Sequence, residues 1–158
     1  MVFQLLGVFF YVKNREENMK KRRLSYILAH SDIKKLELEV EKIEKIFNVT
    51  LLKAPELGLA MVKVRDGVYK ESFYIGELLI TECSVHLDGT LGMGIVQGDD
   101  ERRAYCMGVI DAAFNSDKVC KKELIKQIEI WESEIKDIYI VEQSMVEGSK
   151  VKFNTMGE

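Results

Sequence analysis

A chain of 158 residues, 47% hydrophobic and 31% charged, has the size of one ordinary globular domain and can bury roughly two-thirds of its unfolded surface. With 26 acidic against 23 basic residues the net charge is -3, so the chain lacks the basic excess that supplies electrostatic affinity for nucleic acid. Cys83, Cys106 and Cys120 are odd in number and far apart; they show no zinc-site spacing and fit a reduced, cytoplasmic setting.

The opening MVFQLLGVFFYV is apolar but too short for a bilayer core, which needs ~20 residues, and it lacks the basic start and cleavage site of a secretory signal. No membrane attachment is expected. REENM, Arg15 to Met19, can be encoded by a purine-rich run of ribosome-binding type just upstream of Met19. Met19 is therefore the expected start, with 1–18 a non-native or poorly packed extension and 19–158 a single domain.

From Met19 the pattern predicts an α+β fold: two helices, a roughly four-stranded, mostly antiparallel sheet, then two more helices and an extended tail. Leu24, Ile27 and Leu28 follow the basic KKRR at helical spacing, and Ser31 is the expected cap of the next helix. There Ile33, Leu36, Val40, Ile43 and Phe47 recur at intervals of three and four, which buries one face. The only proline, Pro55, and a Glu-Leu-Gly turn precede the alternating AMVKVRD strand, closed by Asp66-Gly67. A longer β-rich run ends at Asp88-Gly89, and LGMGIVQG supplies another strand. These connections are too short for parallel crossovers.

Asp99 or Asp100 is placed to cap the next helix, with Met107, Ile110 and Phe114 on one side. The last helix, about 118–146, carries a stripe of Leu124, Ile128, Trp131, Ile135, Ile138 and Met145. It would be on the order of 40 Å long, more than a small domain needs, so part of it is expected to pack on another chain or on the opening helices.

Gly92, Gly94 and Gly98 just ahead of a helix invite comparison with a phosphate-cradling loop. No Lys-Ser/Thr follows, and Asp99, Asp100 and Glu101 compete with a phosphate at the helix dipole. The plainer reading is that Gly92 and Gly94 thin a strand where other atoms approach closely, while Gly98 makes the strand-to-helix turn. Arg102 and Arg103 either face an anion or pair with neighbouring acids. His30 sits at a helix break; His86 lies in a strand beside a turn, a structural or rim position. Asp111 needs a hydrogen-bond partner if buried. Glu56 and Glu77 each stand beside an expected turn glycine, Gly58 and Gly76, in interface or capping positions. These features alone stop at a domain without a self-sufficient active site. Two further readings fit them: a stand-alone ligand-binding or regulatory domain that homodimerises through the long helix, and, less well, a nucleic-acid binder using KKRR.

The order of residues resembles the PhnG family, the G subunit of the bacterial carbon-phosphorus lyase system. The resemblance is carried by Gly76, Glu77, Leu79, Thr81, Val85, Leu87, Asp88, Gly89, Gly92, Gly98, Asp100, Ala104, Ile110, Asp111 and Ala112. LAHS at 28–31, PELGL around Glu56 and Gly58, and a tail with Val151, Phe153, Thr155 and Met156 keep the family's order from Met19 onward. Tyr26 stands for the family's aromatic before the LA motif, His86 stands where a basic Arg is common, and Asp99 replaces a usual Arg.

The resemblance implies a subunit that works with the H, I and J subunits, and with L for one step. In that step the ribose triphosphate of ATP moves to methylphosphonate and adenine is released. ATP and methylphosphonate are then substrates of the complex, this chain alone holds no cofactor or metal, and its catalytic residues are unassigned. Nucleosidase-like chemistry falls to I and radical cleavage to the iron-sulfur J subunit. The signature residues, together with Arg103 and His86, become interface or family-signature positions, and the glycine strand and long helix are expected to dock on I.

Overall fold

The computed structural model describes residues 4–6, 15–116, 119 and 121–150; Cys120, Phe153, Thr155 and Met156 lie outside them. Its elements are β1 (Gln4–Leu6), α1 (Arg15–His30), α2 (Ile33–Ile46), β2 (Val49–Arg65), β3 (Ser72–Leu87), β4 (Thr90–Gln97), α3 (Glu101–Asn115) and α4 (Lys121–Gly148). The four strands form one sheet in the order β1-β2-β3-β4, antiparallel at every pairing. The α+β expectation holds, with one difference: three strands follow the two opening helices, and the fourth, β1, comes from residues 4–6, ahead of Met19.

The break between α1 and α2 differs in detail from the expected one. Asp32, not Ser31, caps α2, its side chain accepting from the Lys34 N–H at 2.9 Å. Ser31 instead turns back and donates to the Ile27 carbonyl at 2.7 Å, satisfying a carbonyl at the end of α1. The Asp88-Gly89 turn has both residues at positive φ, 45° and 100°, as a two-residue turn of the primed type requires.

The larger correction concerns β2. The Glu56-Leu57-Gly58 stretch forms no turn: β2 runs unbroken for 17 residues. Pro55 is tolerated because the ladder is irregular between Lys53 and Glu56, where β1 does not reach, and a proline without its N–H costs least at such a place. Gly76 and Glu77 likewise lie inside β3, opposite Val62 and Met61, and not beside a turn.

The core has α3 at its centre. Alternate residues of β3, among them Thr81, Cys83, Val85 and Leu87, turn to one face and are buried with α3 residues Ala104, Met107, Val109, Ile110, Ala112 and Ala113. Leu24, Ile27 and Leu28 of α1, Leu36, Val40 and Ile43 of α2, and Leu124, Ile128 and Trp131 of α4 join the same core. Because α3 has the sheet on one side and helices on the other, it is buried nearly all round, which the single apolar side expected of Met107, Ile110 and Phe114 understated.

Candidate functional site

At the β4–α3 connection four signature residues form one polar network. The Thr81 hydroxyl, fully buried, donates to the Gly98 carbonyl at 2.6 Å and accepts from the Asp100 N–H at 3.1 Å. Gly98, at φ 88°, makes a turn that glycine enters at little cost, and its N–H bonds the Leu79 carbonyl at 2.9 Å. Asp100 then caps α3 by accepting from the Arg103 N–H at 2.9 Å and from Arg103 Nε at 3.0 Å. Arg103 Nη1 reaches on to the carbonyls of Ser31, 2.7 Å, and Leu28, 3.2 Å, orphans of the α1 C-terminus. The network thus fastens sheet, α3 and α1 together, and its cation is spent on the protein itself. Arg102 pairs with Glu37 of α2. Both arginines therefore take the plainer of their two readings.

The glycine run is also turned inward. A Cβ on Gly94 would stand 1.8 Å from the Ala104 carbonyl oxygen, and one on Gly92 2.1 Å from that of Gly108. The backbone of α3 fills the space a side chain would take, so this face of the strand offers no cradle to a phosphate and no docking face to another chain. The expectation that the glycine strand docks on a partner is corrected for that face. Asp111 has its partner: Oδ2 accepts the Met93 N–H at 3.1 Å. Burial raises its pKa above the ordinary carboxylate value, against the Met93 bond and nearby Lys21, which favour the charged form.

The remaining predicted residues are spread over other surfaces. Asp88 and Gly89 are the β3–β4 turn. His86 is half-buried in β3 between Thr50 and Leu91 of the flanking strands. Glu56 and Glu82 share Lys53, whose Nζ lies 2.6 Å from Glu56, and the two carboxylates raise its pKa. His30 bonds the Tyr26 carbonyl through Nδ1 at 2.8 Å, a capping duty. No group of three or more His, Cys, Asp or Glu able to hold a metal occurs among the described residues. Burial pushes Cys106 up to about 11 and raises Cys83, so both thiols stay protonated and unreactive at neutral pH.

Two apolar surfaces stand apart from this interior. Beyond Gln97, where β4 ends, β2 and β3 continue as an arm, with the short β1 alongside β2 at Met61, Val62 and Lys63. Leu57, Leu59, Met61 and Leu79 share, by the register, the face that α3 covers farther along, yet all four are exposed. Nearer the tip Val68, Tyr69, Phe73, Tyr74 and Ile75 are exposed as well. The second surface is the distal half of α4. Leu124, Ile128 and Trp131 are buried, and Glu132 and Glu134 pair with Arg23 of α1 and Lys35 of α2, but Ile138, Tyr139, Ile140, Val141, Met145 and Val146 are exposed. The stripe read from the sequence thus splits at Ile135. A cavity of about 210 Å³ between α1, α3 and α4, lined by Arg23, Leu24, Ile27, Phe114, Ile125, Ile128 and Glu129, touches none of the signature residues.

Sequence reading missed the arm. Its signal was the run Phe73-Tyr74-Ile75, in which consecutive apolar residues put apolar groups on both faces of a strand, a pattern suited to coverage on both sides. Contiguous apolar patches of this kind on a small domain mark interaction surfaces. A family model described as phosphonate metabolism protein PhnG matches residues 19–157. The chain belongs to the PhnG family. It is also 31% identical over 106 residues to the alpha-D-ribose 1-methylphosphonate 5-triphosphate synthase subunit PhnG of Rhizobium meliloti (strain 1021), a match spanning 66% of this chain and 64% of that relative. No helix among the described residues is long and apolar enough to cross a membrane.

Proposed function

We propose that this chain is a non-autonomous subunit of the carbon-phosphorus lyase core complex, required for transfer of the ribose triphosphate of ATP to methylphosphonate with release of adenine. The observation that carries the proposal is the exposed apolar surface on a PhnG-family chain whose buried signature groups bind one another. In this reading the arm and the distal half of α4 rest on the I subunit, H and J complete the core, and L joins for the transfer. ATP and methylphosphonate are substrates of the assembly. The chain shapes the site and leaves the principal nucleophile and base to its partners, in keeping with Arg103 and Asp100 being committed to each other.

The test is reconstitution with the I subunit of the same organism. The wild-type chain should bind it and be inactive alone on ATP and methylphosphonate. Leu59→Glu with Met61→Glu, and separately Ile138→Glu with Val141→Glu, should weaken binding by about a hundredfold, since each pair removes the apolar centre of a contact. Turnover by the isolated chain, or no binding to I, overturns the reading. An isolated chain that is a stable homodimer and ignores I would favour the stand-alone domain.

A further inference from the structure

β4 is the terminal strand of the sheet, and its outer edge pairs with no strand among the described residues. Within a strand the N–H groups alternate between the two edges. The Met93 N–H goes to a side chain and not to β3, so Leu91, Met93 and Ile95 form the outward row. Such a row is a template for another strand, and the same edge of a second copy can pair with it antiparallel about a two-fold axis.

One position in the middle of that row is occupied. Asp111 Oδ2 takes the Met93 N–H at 3.1 Å. The carboxylate is held between three elements: it is carried by α3, where it also accepts from Asn115, it bonds β4 through the Met93 N–H, and Lys21 of α1 lies near enough to favour its charge. The packing of α3 does not call for an acid here. Ala112 and Ala113, its neighbours, are fully buried with small side chains, and burying a carboxylate in their company costs free energy that an alanine would not. What the acid obtains is a single strand donor, at the place where an incoming strand would need it.

We propose that Asp111 guards the outer edge of β4, occupying the Met93 N–H so that a second copy of the chain cannot extend the sheet there. The guard consists of the hydrogen bond and of a charge that an incoming strand would have to bury. It acts on the isolated full-length chain and is independent of the subunit reading above.

Asp111→Ala should self-associate, with a mass by light scattering at least twice that of the wild type at equal concentration. Met93→Pro placed in the same background should return the mass to the wild-type value, because proline has no N–H to offer at that position and is tolerated on edges. A folded Asp111→Ala chain with wild-type mass overturns the proposal, as does self-association that Met93→Pro leaves unchanged. Should Asp111→Ala fail to fold, amide hydrogen exchange on the wild type decides: the Met93 amide should exchange about tenfold or more slowly relative to Leu91 and Ile95, and equal rates overturn the guard.

Discussion

The two ends of β3 follow opposite rules. From Ile80 to Leu87 the strand has β2 on one side, β4 on the other and α3 across its face; from Ser72 to Leu79 it has β2 alone, and its apolar side chains are exposed. At the covered end polar groups are matched within the chain, as Thr81, Asp100 and Arg103 are. At the open end the polar contacts are local, as between the Tyr69 N–H and Asp66 or Arg65 and the Lys70 carbonyl, and the apolar side chains are exposed. Signature residues fall at both ends, within the buried polar network at one and on the exposed arm at the other. Glycine separates the two cases best: Gly92 and Gly94 have no room for a methyl group, whereas Gly76 has nothing within 4 Å of its absent Cβ.

The largest effect should come from Gly94→Val. The new Cβ would have to stand 1.8 Å from a backbone oxygen and 2.7 Å from the Gly108 nitrogen, and neither is the end of a flexible chain that can step aside. Separating α3 from β4 to make room would loosen the core that both share. We expect a loss of at least ~3 kcal/mol, at or beyond the usual cost of overpacking, read as a lowered urea midpoint or as failure to recover soluble protein. A midpoint equal to the wild type would mean that α3 does not rest on β4 as described.

Thr81→Val comes next. The substitution keeps shape and burial but leaves the Asp100 N–H and the Gly98 carbonyl without the hydroxyl between them. An unsatisfied buried group costs about 1–3 kcal/mol, so a fall of about 2 kcal/mol in urea unfolding is expected. A loss below ~0.5 kcal/mol would show that solvent reaches the turn and that the network is not what fastens it.

Much of the covered end was legible in the sequence, because there local chemistry and tertiary structure agree. The spacing of Leu36, Val40 and Ile43, the Asp88-Gly89 turn and the two carboxylates after Gly98 each state their role within a few residues. The close approach at Gly92 and Gly94 was also readable, since glycines inside a strand have few other uses. Less was legible where the partner of a residue is distant in the chain. Asp111 and Met93 are on different elements, and no local pattern pairs them. Arg103 meets the carbonyls of Leu28 and Ser31 only after α1 has folded against α3. At the open end local signals misled: Pro55 and the Glu-Leu-Gly stretch carry turn chemistry, yet pairing with β3 overrides it and β2 passes straight through. The distal half of α4 keeps the periodicity of its buried half, and periodicity does not tell which part of a stripe meets the chain's own core.

The smallest expected effect on folding is the sharpest test of the comparison. Gly76 lies opposite Val62 in the arm, and an alanine methyl there would meet no atom within 4 Å. Replacing glycine by alanine narrows the unfolded ensemble and stabilises the fold by about 0.4–1 kcal/mol where the backbone accommodates it. The backbone of Gly76 is not in the positive-φ region that resists a side chain. Gly76→Ala should therefore raise the urea midpoint slightly or leave it unchanged, opposite in sign to Gly94→Val. If the glycine serves a close approach by the I subunit, the same variant should bind that subunit more weakly although it folds at least as well. A drop in stability with binding intact would reverse the assignment: Gly76 would then serve the fold of the arm, and the two ends of β3 would obey one rule after all.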